Sequence, residues 1–139
     1  MKIIFLDIDG VLNSRQTDAR CALSGGDLMR PDPALVVRLL GVCQETGAKI
    51  VLSTSWRLDT TIVWPFPVYD VTPRLDAFGT RAAEIAAWLA NTTEPVIENF
   101  VIVDDEGDAG LLHPTHFIQT DPRTGLTAED AAKIVGLFT

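Results

Sequence analysis

Residues 2–6, Lys-Ile-Ile-Phe-Leu, run almost wholly apolar and stop at Asp7-Ile8-Asp9-Gly10. A short apolar run rich in β-branched and aromatic residues fits a strand buried on both faces, as at the centre of a parallel sheet. Parallel strands need crossover connections, and helices must cover both faces of the sheet. In such sheets ligands gather beyond the carboxyl ends of the strands, which is where Asp7 and Asp9 stand. Two carboxylates one residue apart require a cation or a shared proton to coexist. Oxygen ligands of this kind suit a hard cation such as Mg²⁺, and Gly10 permits a sharp turn with close approach of the backbone to a ligand. An Asp-Gly turn alone would also account for the tetrapeptide. The other strand ends have to decide.

Lys49 to Ser53 reads as a second buried strand, followed by Thr54-Ser-Trp-Arg57. Phe100 to Val103 reads as a third, ending in Asp104-Asp-Glu-Gly-Asp108. A fourth is expected at about His116 to Gln119, and a short one around Val68 to Val71. Between them lie three helical patterns. Asp32-Pro33 opens the first, with Leu35, Val36, Leu39, Leu40 and Cys43 on its apolar face and Gly47 at its end. Thr80 caps the second, whose stripe is Ile85, Trp88 and Leu89. Thr127 and Asp130 form a capping-box pair for the third, which buries Ala131, Ile134, Val135 and Phe138. Alternating strands and helices give an α/β fold, a three-layer α/β/α Rossmann-like sandwich with a mostly parallel sheet.

A chain of 139 residues is expected to form one domain with a sizeable core, its polar stretch at about 14–31 making a short flap around Gly25 and Gly26. The net charge of −8 argues against a surface that coats nucleic acid, while leaving room for a local basic phosphate pocket. Cys21 and Cys43 make no disulfide framework and read as reduced thiols. Met1-Lys2 runs straight into a core strand, and no apolar run reaches the ~20 residues of a membrane span. A cytoplasmic protein with no membrane partner is expected. Oligomeric state is left open, and a monomer is compatible with the composition.

Three strand ends thus carry reactive groups: Asp7/Asp9, Ser53/Thr54 and Asp104/Asp105. Parallel strands send all their carboxyl ends to one edge, so these groups converge. Arg57 and Arg81 are the available cations. The plain readings differ by residue. Ser53 can cap a turn and Asp108 can be only a turn residue. His113 and His116 lack the clustering of a metal site. Trp88 belongs to the core, and for Trp56 and Trp64 packing is favoured over stacking on a nucleobase.

These residues resemble the haloacid dehalogenase (HAD) superfamily. Asp7-Ile-Asp-Gly-Val11 matches its first motif, Ser53 after Ile50-Val-Leu52 its second, and Asp104-Asp105 after Val101-Ile-Val103 its fourth. Arg81, in Thr80-Arg-Ala-Ala-Glu-Ile85, takes the place of the third-motif cation, with Arg57 as the alternative. Asp9-Gly-Val-Leu-Asn13, Leu52-Ser-Thr-Ser-Trp-Arg57 and Gly125-Leu-Thr127 look like a small group associated with predicted RNA-repair systems.

The resemblance implies a Mg²⁺-dependent phosphatase with a minimal cap or none. Asp7 would be the nucleophile and Asp9 the general acid and base. Ser53 and Arg81 would hold the phosphoryl group. Gly10, Thr54 and Arg57 would contact substrate. The metal would lie among the Asp7 carboxylate, the Asp9 main-chain carbonyl, Asp104 and Asp105, with either Asp104 or Asp105 as the direct ligand. An open cleft would admit a large phosphorylated substrate, such as a nucleotide or an RNA or DNA end. The rivals are a phospho-Asp signalling module, whose motif order disagrees with this one, and an inactive HAD scaffold that only binds.

Overall fold

The structure, a computed structural model, describes residues 1–16, 31–75 and 79–139. Most of the expected flap, with Gly25, Gly26 and Cys21, lies outside them. Five strands form one sheet: β1 (Lys2–Leu6), β2 (Lys49–Leu52), β3 (Asp70–Val71), β4 (Asn99–Asp104) and β5 (Phe117–Gln119), in the order β3-β2-β1-β4-β5. Every pairing among them is parallel, so the sheet is wholly and not just mostly so. Among the described residues, three helices pack on it: α1 (Pro33–Thr46), α2 (Arg81–Asn91) and α3 (Ala128–Phe138).

The helix ends follow local chemistry. The Asp32 side chain accepts from the Ala34 N–H at 3.0 Å ahead of Pro33, satisfying a donor that the first turn would leave orphaned. Gly47, at φ +75°, closes α1 with its N–H on the Cys43 carbonyl. Thr80 accepts from the Ala83 N–H, and Thr127 and Asp130 complete a reciprocal capping box.

Strand alternation distributes the core. Ile4 and Leu6 face α1 and α3 with Leu35, Leu39, Val101, Ile134 and Phe138. Ile3 and Phe5 face α2 with Ile85, Trp88 and Ile102. The Phe5 ring meets Trp88 edge-on at 5.3 Å and Phe100 at 5.9 Å. All four apolar residues of β1 are completely buried, at about 1.5–3 kcal/mol of transfer free energy each. The buried stripe of α1 differs from the expected one: Val42 is buried and Leu40 is 37% exposed. A 100° step per residue puts position 42 in line with 35 and 39, and carries 40 past the edge.

Shorter elements also shift. His116 closes a 3₁₀ turn, Pro114–His116, so β5 begins one residue later than expected. The strand expected around Val68 shrinks to the two residues of β3, tied to α2 by the Trp88 indole donating to Asp70 at 2.8 Å. Among the described residues, only a 3₁₀ helix (Ser55–Leu58) and β3 lie between β2 and α2. No helix of the described residues is long and apolar enough to cross a membrane.

The chain leaves β1 toward β2 on one side and returns to β4 on the other. Strand order therefore reverses between β1 and β4, and the carboxyl ends of these two strands flank the ligand crevice of such sheets.

Candidate active site

Asp7 and Asp104 occupy that crevice. The Asp7 N–H donates to the Val103 carbonyl at 3.0 Å, and the Ser53 N–H to the Leu6 carbonyl at 2.9 Å. The ladder thus runs one residue beyond β1 on both sides and seats Asp7 between Ser53 and Asp104. Arg81, the first residue of α2, reaches in from the opposite face. Its Nη1 lies 2.9 Å from Asp7 Oδ1 and 3.0 Å from Asp104 Oδ2. Asp104 Oδ1 accepts the Glu106 N–H at 2.9 Å. Ser53 is 1% exposed, and its buried hydroxyl has no partner among the described residues. An unsatisfied buried hydroxyl costs about 1–3 kcal/mol, so its presence at a strand end points to a ligand atom that it would meet.

Asp105 completes the cluster: Asp7, Asp104 and Asp105 each offer a carboxylate oxygen within 4.8 Å of the others. Burial, reinforced by the Asp7 charge, pushes Asp104 up to about 8 and Asp105 up to about 6. Burial opposes the charge on Arg81, yet Asp7 and Asp104 outweigh it and hold the guanidinium above its usual value. With all groups ionised, three carboxylates face one guanidinium, leaving two negative charges without compensation. That excess, its oxygen chemistry and the tight spacing fit a divalent hard cation.

Gly10 turns the chain away from β1 at φ +78°. Its N–H donates to Asn13 Oδ1 at 3.0 Å and its carbonyl accepts from the Thr120 hydroxyl at 2.7 Å. Both main-chain groups are therefore hydrogen-bonded within the protein. A Cβ there would stand 2.5 Å from an Asp105 carboxylate oxygen. Gly10→Ala is expected to cost on the order of 3 kcal/mol, from the left-handed backbone and from overpacking together. Chemical denaturation would measure it, and a cost under ~1 kcal/mol would mean that the loop yields.

Asp9 points elsewhere. Its Oδ1 accepts from Asn13 Nδ2 at 2.9 Å and its Oδ2 from the Trp56 indole Nε1 at 2.7 Å. The Asp9 carboxylate is not a member of the acidic cluster, so any metal contact from this residue falls to its main chain.

Arg57 turns away from the acidic cluster. Its side chain is 5% exposed and pairs with Glu84 at 2.7 Å, while also donating to the carbonyls of Thr72, Thr54 and Pro73. These bonds make it an anchor between the Ser55–Leu58 turn and α2; a substrate phosphate would have to displace them. Thr54, also expected to contact substrate, is 1% exposed, and its hydroxyl caps that turn by accepting the Trp56 N–H at 3.3 Å.

Sequence reasoning gave Thr120 and Glu84 no role, placed Asn13 only within a motif stretch, and weighed Trp56 as packing or base stacking rather than as a partner of Asp9. Two of them carried usable signals. Thr120 follows the end of β5, the same kind of position as Ser53. A Trp beside a strand end carries an N–H that needs a partner once buried.

Residues 3–131 match the family described as the HAD domain in Swiss Army Knife RNA repair proteins. The chain belongs to this family. No curated protein and no solved structure matches it. In this HAD domain the first-motif Asp7, the second-motif Ser53 and the fourth-motif Asp104-Asp105 pair lie together at one sheet edge, and Arg81 rather than Arg57 reaches the carboxylates. His113 and His116 lie apart, packed against Phe100 at ring distances of 5.1 and 4.2 Å.

Proposed function

We propose that this HAD domain is a Mg²⁺-dependent phosphomonoesterase that works through a phosphorylated Asp7. The observation that carries the reading is the partnerless Ser53 hydroxyl beside the Asp7 position in the ladder, since a phosphoryl oxygen would satisfy it. An Asp7 carboxylate oxygen attacks phosphorus as the bond to the leaving oxygen breaks, and Asp9 supplies that oxygen with a proton. Water then attacks the phosphorus of the aspartyl phosphate while Asp9 takes its proton, releasing phosphate and restoring Asp7. Splitting one displacement into two in this way lowers each barrier. Arg81 offsets charge on the transferring group and on Asp7, and electrostatic positioning of this kind carries most of phosphoryl transfer.

Asp7, Asp104 and Asp105, with the Asp9 main-chain carbonyl, would hold Mg²⁺. When bound, the ion neutralises the acidic cluster and charge on the phosphoryl oxygens. The family description makes a phosphorylated RNA or nucleotide end the substrate class to test first.

The test is phosphate release from p-nitrophenyl phosphate and from oligoribonucleotides phosphorylated at either end, with Mg²⁺ or with chelator. Release that requires Mg²⁺ is expected. The same ion should raise the melting temperature, and the concentration needed should fall as pH rises from 6 to 8. Mg²⁺ must displace protons that Asp105 holds up to about 6 and Asp104 up to about 8, so binding tightens as those protons leave. No release from any substrate, together with no stabilisation by Mg²⁺ and beryllium fluoride, would favour a scaffold that only binds.

A further inference from the structure

We infer that Trp56 and Asn13 are positioning residues that aim the Asp9 acid at the leaving oxygen, an inference that rests on the phosphatase reading above. Asp9 follows the buried strand by three residues and sits in a turn, half-buried, where a short carboxylate would otherwise sample several rotamers. Two donors remove that freedom. The Trp56 indole N–H takes Oδ2 at 2.7 Å and the Asn13 amide takes Oδ1 at 2.9 Å. The Asn13 orientation follows from chemistry: the Gly10 N–H can only donate, so the amide oxygen faces it and the amide nitrogen faces Asp9. An indole N–H likewise can only donate. Each Asp9 oxygen accepts one bond and keeps a second lone pair, on which a proton can be carried and passed.

The clamp is itself built on fixed parts. Asn13 is 7% exposed and closes the Gly10 turn. Trp56 rides on the Ser55–Leu58 turn, which Thr54 caps and which Arg57 fastens to Glu84 of α2 and to the Thr72 and Pro73 carbonyls. The indole therefore reaches Asp9 from a segment anchored in two places. Phosphoryl transfer to Asp7 needs this aim because P–O cleavage and proton delivery to the leaving oxygen must coincide. A leaving group that departs as a stable anion needs the proton least.

Leaving-group dependence is accordingly the diagnostic. Trp56→Phe keeps an aromatic ring and deletes the N–H. Its kcat/KM, which reports steps up to leaving-group departure, should fall roughly 10–100-fold on an alkyl ester such as glycerol 2-phosphate. The loss on p-nitrophenyl phosphate should be about ten times smaller, because p-nitrophenolate departs without a proton. Equal losses on the two esters, or none on either, would overturn the inference and leave the phosphatase standing. Wild-type protein inactive on both esters would overturn the phosphatase reading and the inference with it. A second readout needs no turnover. In ¹⁵N-labelled, metal-free protein, Asp9→Ala should move the Trp56 indole N–H resonance and spare those of Trp64 and Trp88. A stationary Trp56 resonance would show that the clamp is absent in solution.

Discussion

Asp7→Asn is expected to lower Mg²⁺-dependent phosphate release by at least about 10³-fold, on the scale seen when a nucleophile is removed. At pH 8 the same change should raise the melting temperature of the metal-free protein. The two effects have one origin. An amide oxygen is too weak a nucleophile to take a phosphoryl group, and the amide also brings no negative charge. Asp104 and Asp105 are held up by burial first and by the Asp7 charge second, so removing that charge relieves both. Loss of the 2.9 Å contact with Arg81 works the other way, but Arg81 keeps Asp104 at 3.0 Å. Activity and stability moving in opposite directions is the mark of a site whose charges are gathered for function. Steady-state assay and differential scanning calorimetry on the same preparation give both numbers. Retained turnover would move the nucleophile elsewhere.

Arg81→Met should destabilise the metal-free protein by about 2–4 kcal/mol at pH 8, somewhat under the usual cost of stripping one partner from a buried pair because the side chain is part-exposed. The Arg81 side chain, 23% exposed, brings the cation that touches both Asp7 and Asp104. Its loss leaves three carboxylates in one cluster. The pH dependence follows from linkage. Between the ordinary carboxylate value near 4 and about 8, folded Asp104 binds a proton that the unfolded chain has released. Stability of the metal-free protein therefore falls as pH rises through that window. Without Arg81, whose charge pulls Asp104 down, the fall continues to higher pH. At pH 5 both Asp104 and Asp105 hold protons, and the cost of Arg81→Met should shrink to half or less. Denaturant melts at pH 5 and pH 8 decide it, and a cost independent of pH would mean that Arg81 stabilises by packing alone.

Local chemistry is written plainly in the chain. Residues 2–6, 49–52 and 100–103 announce buried strands because only a sheet covered on both faces can hide such runs. Asp32-Pro33, Gly47, Thr80 and the Thr127–Asp130 pair mark helix ends because a cap bonds within three or four residues of itself. Parallel pairing then brings Asp7, Ser53 and Asp104 to one edge with no further information, since every strand of such a sheet ends on the same side. Leu40 and Val42 show the limit of periodicity, for the width of the buried stripe depends on what α1 packs against.

Tertiary structure alone decided which partner each polar group found. Arg57 and Arg81 are both arginines close to the site in sequence. One turns to Glu84, 27 residues away, and the other to Asp7 and Asp104. Asp9 and Asp7 are one residue apart, yet Asp9 meets the Trp56 indole 47 residues on, while Asp7 joins the acidic cluster. Gly10 bonds Thr120, 110 residues distant. Hydrophobic burial is non-directional and leaves a periodic trace in sequence. A hydrogen bond or ion pair needs one donor and one acceptor within about 3 Å, and that coincidence exists only once the chain has folded.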